Sequence, residues 1–196
     1  MAKFFGNLNA VVAAGFVLMF GLLFWSMSAS GYDGLNWAGW TTFLHVISGT
    51  MWIGLLYYFN FVQIPRMPKV PAELKPGVTK YIAPEALFWF RWAAIVTLVL
   101  GFAIAGAPPQ LYLVQALTFQ APYRLIGLGM WLGIIMAANV WMFIWPNQKI
   151  ALGIVDGTPE AKAAAGKKAM LFSRTNFVLS FPMLYSMVTQ YGQLGG

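Results

Sequence analysis

Residues Trp40 to Pro65 read WTTFLHVISGTMWIGLLYYFNFVQIP. A membrane-crossing helix takes about 20 largely apolar residues, and this run is long enough. Inside it sits His45, the only histidine of the chain. An ionisable side chain at membrane depth is costly and rare, so it marks a candidate functional site. The chain has no cysteine, which removes disulfides and thiolate metal ligands. Cofactor or metal chemistry through the common ligands therefore has to pass through the His45 imidazole.

On a helical wheel His45, Gly49, Trp52, Leu56, Asn60 and Gln63 fall at three- and four-residue steps and share one face. A face with an imidazole, an indole and two amides is poorly suited to lipid. It should turn toward a neighbouring helix or a buried pocket. Gly49, one turn from His45, leaves space for a flat ligand or a close helix. Trp52 would form a wall beside it.

Composition extends this reading to the whole chain. Of 196 residues, 60% are apolar and 9% charged, against roughly 25% charged in a soluble protein. The pattern predicts an all-α polytopic membrane protein of one domain, 1–196. Five spans are expected, at about 8–27, 40–64, 86–106, 123–145 and 169–191. The stretch QLYLVQALTFQ (110–120) is too short to cross and predicts a short interfacial helix on the outer side.

The net charge of +7 reads as a topology signal and gives no indication of nucleic-acid binding. Lys3 precedes the first span. Arg66, Lys69, Lys75 and Lys80 lie between the second and third, and Lys149, Lys162, Lys167 and Lys168 between the fourth and fifth. The other two loops and the tail after Tyr191 carry no Lys or Arg. Cytoplasmic loops are enriched in these residues. Five spans with the N-terminus cytoplasmic and the C-terminus periplasmic put these charges on one side. Trp and Tyr gather near predicted span ends, as headgroup-level anchors do: Trp25, Tyr32, Trp37, Trp40, Tyr81, Trp89, Trp92, Tyr123, Trp145 and Tyr191.

Three arginines remain. Arg91 and Arg174 lie one to two turns inside the basic side of their spans, where snorkelling to headgroups is the plain expectation. Arg124 should lie at a depth similar to His45. There it is a candidate partner for an anionic group such as a haem propionate, since guanidinium pairs with carboxylate bidentately. Haem iron commonly takes histidine opposite His, Met or an open position. Without a second histidine, bis-histidine ligation within one chain is excluded. Gly129, Gly133 and Ala137 form a small-residue ridge suited to close helix approach. No phosphate loop or zinc-type His–Glu pattern occurs. Asp33, Glu73, Glu85, Asp156 and Glu160 all fall in loops or at span ends, so the buried carboxylates of a proton-coupled carrier are missing.

Three stretches resemble a known family: HVISGTMWIGLLYYFNFVQIP (His45 to Pro65), GIIMAANVWMFIWPNQK (Gly133 to Lys149) and SRTNFVLSFPMLYSMVTQY (Ser173 to Tyr191). They are similar to the membrane domain of bacterial urate oxidase, or urate hydroxylase, whose members join a multi-span domain to a C-terminal c-type cytochrome. The His-x6-Trp-Ile-Gly pattern, His45 to Gly54, is more distantly similar to copper-resistance D-type membrane proteins. The resemblance implies a bacterial inner-membrane protein that passes electrons to a cytochrome c, with His45 as a haem or metal ligand. This sequence has no Cys-x-x-Cys-His site, so the cytochrome is expected to be a separate partner. Arg174 and Gln190 occupy the region where urate-oxidising members are expected to carry histidines.

The expectation is thus a subunit of a larger respiratory or oxygenase assembly, carrying b-type haem at His45, Gly49, Trp52 and Arg124 and working with a c-type cytochrome. The competing expectation is a non-catalytic accessory subunit that packs a membrane complex and binds lipid, with His45 as an interhelix bond. A stand-alone urate-oxidising enzyme ranks third.

Overall fold

The computed structural model describes residues 2–31, 36–108 and 110–193. Tyr32, Asp33 and Pro109 lie outside the described residues, as do the side chains of Gln190 and Tyr191. The described residues are helical, with no strand among them. They divide into two units, Met1–Trp40 and Thr41–Gly196.

The first unit holds a short helix α1 (Ala2–Phe5) and the apolar helix α2 (Leu8–Ser30). Asn7 starts α2 by accepting a hydrogen bond from the Ala10 amide at 3.2 Å, the usual task of an N-cap side chain. Gly31 ends it in the left-handed region, φ 66°, with its N–H on the Met27 carbonyl. A side chain would be strained in that conformation.

Helix α3 (Trp37–Lys69) begins in the first unit and continues through the second. The second unit adds α4 (Lys75–Gly106), a short α5 (Leu113–Leu117), α6 (Arg124–Ala151) and α7 (Pro159–Gln193). Its core is formed by Trp52 and Leu56 of α3, Phe90 and Ala94 of α4, and Met136 and Val140 of α6. The buried positions of α3 include the face expected from the wheel: Trp52 and Leu56 are buried, and His45, Gly49, Asn60 and Gln63 are half-buried.

Three helices contain π-helical turns, at Tyr58–Gln63, Val78–Ile82 and Val140–Ile144. Such turns free or displace backbone groups and gather at functional sites. Pro65, Pro84 and Pro146 follow closely after them, so a missing proline N–H is a local reason for the widened turns.

Four helices are long and apolar enough to cross a membrane: Leu8–Ser30, Trp37–Lys69, Lys75–Gly106 and Arg124–Ala151. The region expected to form a fifth span lies within α7, a continuous helix of 35 residues. It is less apolar because Ser173, Asn176, Ser180 and Ser186 are buried against the other helices. A helix shielded by protein needs less apolar surface than one bathed in lipid. Thr158 caps α7 by accepting from the Ala161 amide at 3.2 Å, ahead of Pro159. The nearby Glu160 carboxyl is held below its ordinary range, first by its own backbone N–H and then by the Thr158 hydroxyl.

The expected interfacial helix is corrected in size and placement. Only Leu113–Leu117 is helical, and it packs on α6 with Ala116 fully buried. Gly127 of α6 makes this contact, and a Cβ there would collide with the Ala116 carbonyl group. The stretch reads as interfacial because that complementarity sits on a different helix.

Buried amides tie three helices together. Asn139 Nδ2 donates to Asn176 Oδ1 at 2.7 Å and to the Phe172 carbonyl at 2.9 Å. Asn176 Nδ2 donates to the Met136 carbonyl at 3.0 Å. Asn60 Nδ2 donates to Ser173 Oγ at 3.0 Å. Asn176→Ala breaks two of these bonds and leaves a void, and interhelical bonds in membranes contribute about 0.6 to 1.7 kcal/mol. We expect a loss of about 1–2 kcal/mol, read as an earlier thermal unfolding transition in detergent. An unchanged transition would show the tie to be energetically silent.

Candidate functional site

His45 lies on the α3 face that meets α4. Its Nδ1 is 2.9 Å from the Thr97 carbonyl oxygen, and a carbonyl oxygen only accepts. The proton therefore sits on Nδ1 in the neutral ring, and Nε2 carries the lone pair. Nε2 has no hydrogen-bond partner among the described residues. This is the tautomer of a metal-ligating histidine, which commonly donates its other N–H to a backbone carbonyl.

Thr97 is itself fixed. Its Oγ1 donates to the Ala93 carbonyl at 2.7 Å and lies 3.1 Å from Ser48 Oγ. Gly101, one turn further along α4, makes room for the imidazole, because a Cβ there would lie 3.1 Å from His45 Cε1. At Gly49 an added Cβ would meet only Thr97 Cγ2, at an ordinary 3.6 Å. The glycine that accommodates the ring is therefore Gly101, and Gly49 is only a thin part of the wall. Sequence reasoning missed Thr97 and Gly101. The partner atom at Thr97 belongs to the backbone, which leaves no mark in residue identity.

His45, Gly49 and Trp52 line one cavity of about 690 Å³, together with Tyr57, Gly101 and Met130. Ligand pockets typically run 300–1,000 Å³ and are mostly apolar, with a few placed polar groups. Here those groups are the imidazole, the hydroxyl-bearing Thr42, Thr50, Tyr57, Thr97 and Tyr112, and the Trp52 indole. Trp52 is 2% exposed, and its buried Nε1–H has no acceptor among the described residues. An unpaired buried donor costs about 1–3 kcal/mol and needs an explanation in a native structure.

Arg124 does not join this wall. It is exposed, and its Nε donates to the Phe119 carbonyl at 3.2 Å, bracing the loop after α5. Among the described residues no Lys or Arg lines the cavity. Three methionines do, Met130, Met183 and Met187, although their sequence spacing does not single them out. The small-residue ridge is divided. Ala137 is buried in the core, and a Cβ at Gly129 would approach Ser186 Cβ of α7 at 2.9 Å. Gly133 opens on the cavity instead. Among the described residues no three of His, Cys, Asp and Glu come together, so a metal held by His45 would draw its other ligands from outside that set.

No curated protein and no solved structure matches the chain. A family model does, over residues 109–194, and its description is urate oxidase N-terminal. The matched stretch takes in α5, α6 and all of α7, and includes Met130, Gly133, Met183 and Met187 of the cavity wall. His45 lies outside it, and the likeness to copper-resistance D-type proteins rests on the His45–Gly54 pattern alone. Over α5 to α7 the chain is thus similar to the urate oxidase N-terminal membrane-domain family, and its apolar helices are long enough to cross a membrane.

Proposed function

We propose that the protein is an integral subunit of a membrane redox assembly related to urate oxidation, and that the cavity between α3, α4, α6 and α7 holds a b-type haem on His45. One observation carries this reading: an imidazole locked by the Thr97 carbonyl, with its free nitrogen on a chain that offers an apolar space of about 690 Å³. The residues present fit the group. His45 Nε2 would supply the nitrogen lone pair to the iron, and Met130, Met183 and Met187 would offer thioethers on the same wall. The unpaired Trp52 Nε1–H offers a donor. Because no cation lines the cavity, the acidic edge of the ligand would reach beyond its walls. Arg124 stays a candidate for that edge from its exposed position.

Bound haem would supply reversible one-electron transfer. The chain's own contribution is to fix the ring's tautomer through Thr97, clear space with Gly101, and exclude water with the apolar wall. In this reading α7 crosses the bilayer as the fifth span. The basic loops face the cytoplasm of a bacterial inner membrane, the C-terminus faces the periplasm, and a c-type cytochrome is the electron partner.

The test is the visible spectrum of the protein purified from haem-replete membranes, with reduced-minus-oxidised difference spectra. A Soret band that shifts on reduction is expected. A colourless, well-folded protein that stays colourless after haem addition would overturn the assignment and favour an accessory subunit, with His45 acting only as an interhelix bond.

A further inference from the structure

On the basic side of α4 and α6, away from the His45 cavity, the Arg91 guanidinium carbon lies 3.8 Å from the centroid of the Trp145 ring and 5.5 Å from that of Phe88. Lys149 Nζ lies 5.8 Å from the same Trp145 centroid. Two cations thus share one indole. Neither has an ion pair among the described residues. The Arg91 backbone carbonyl accepts from Trp141 Nε1 at 3.2 Å, which fastens the site to α6. Arg91 Nη1 is buried and has no acceptor among the described residues.

Stacking on an aromatic face satisfies the plane of a guanidinium but not its in-plane N–H donors. Those donors are suited to a phosphate or carboxylate oxygen, which Arg meets bidentately. Beside the cations, Phe88, Trp89 and Trp92 are 42%, 50% and 46% exposed. A free inorganic anion has no use for such an apolar apron, whereas the acyl chains of a phospholipid do. The geometry points to a binding site for the phosphate headgroup of an anionic phospholipid, held by Arg91 and Lys149 over Trp145, with its acyl chains along Phe88, Trp89 and Trp92. Basic pockets between membrane helices on the positively charged side bind such headgroups.

The full-length protein is reconstituted in vesicles of phosphatidylcholine with brominated phosphatidylglycerol, or with brominated phosphatidylcholine, and tryptophan quenching gives the preference between the two lipids. Wild type should prefer phosphatidylglycerol several-fold, since each basic residue at a membrane surface contributes about 1 kcal/mol, roughly fivefold. Arg91→Gln should reduce the preference about fivefold, and Lys149→Gln should reduce it independently. Arg91→Lys should retain part of it, and it keeps the readout available should the glutamine variant misfold. An equal preference in wild type and all three variants would overturn the site. If inorganic phosphate removed the preference in wild type, the occupant would be a free anion and the lipid assignment would fall.

Discussion

The Soret band should fall to background in His45→Ala. With no other histidine in the chain, the imidazole is the only nitrogen ligand of its kind. Even loss of a group that merely orients a metal-bound histidine typically costs 10–100-fold in affinity, so loss of the ligand itself should exceed that. A side-chain deletion at one half-buried face should leave the helices assembled, because the core residues Trp52, Leu56, Phe90 and Met136 are untouched. His45→Gly in imidazole-containing buffer should regain the band by occupying the vacated volume. Retention of full absorption by a monodisperse His45→Ala protein would end the ligand assignment. Gly101→Leu supplies a graded version, since even its Cβ would press on the imidazole at 3.1 Å. It should weaken and shift the band while His45 is still present.

The largest stability effect should come from Gly127→Ala. The obstacle is the backbone carbonyl of Ala116, which cannot rotate aside as a side-chain tip would. Overpacking a tight contact costs about 1–3 kcal/mol and sometimes more, and here α5 has to shift as a unit. We expect about 3 kcal/mol, which for a chain of this size lowers the melting temperature by roughly 6–12 °C. Gly133→Ala, two turns along the same helix, is the control. A Cβ there meets nothing within 4 Å, so removing a helical glycine should be neutral or slightly stabilising. Similar melting of the two variants would contradict the packing of α5 on α6. Because Tyr112, at the start of α5, lines the His45 cavity, Gly127→Ala should also weaken retention of a bound ligand.

Much of the architecture is legible in the chain itself. Apolar runs of membrane-crossing length mark α2, α3, α4 and α6, because the bilayer sets a length and a polarity that composition must meet. The last helix is harder to read. Its inward face is polar, so length and periodicity reveal a helix while hydropathy understates it. The buried face of α3 follows from three- and four-residue spacing, which is a property of one helix alone.

The sequence alone determined that His45 is the sole imidazole, that it lies on a face unsuited to lipid, and that the basic residues cluster in alternate loops. Only the tertiary structure decided which helix holds that ring. Small residues suggest α6, whereas the contact is the Thr97 carbonyl and Gly101 of α4. Likewise, it moved Arg124 off the cavity wall, brought Met130, Met183 and Met187 onto it, and placed Arg91 over Trp145. A carbonyl oxygen is present at every residue, and an indole offers its face in any sequence context. Which of them meets a given side chain depends on helix rotation and crossing, set by packing summed over all partners.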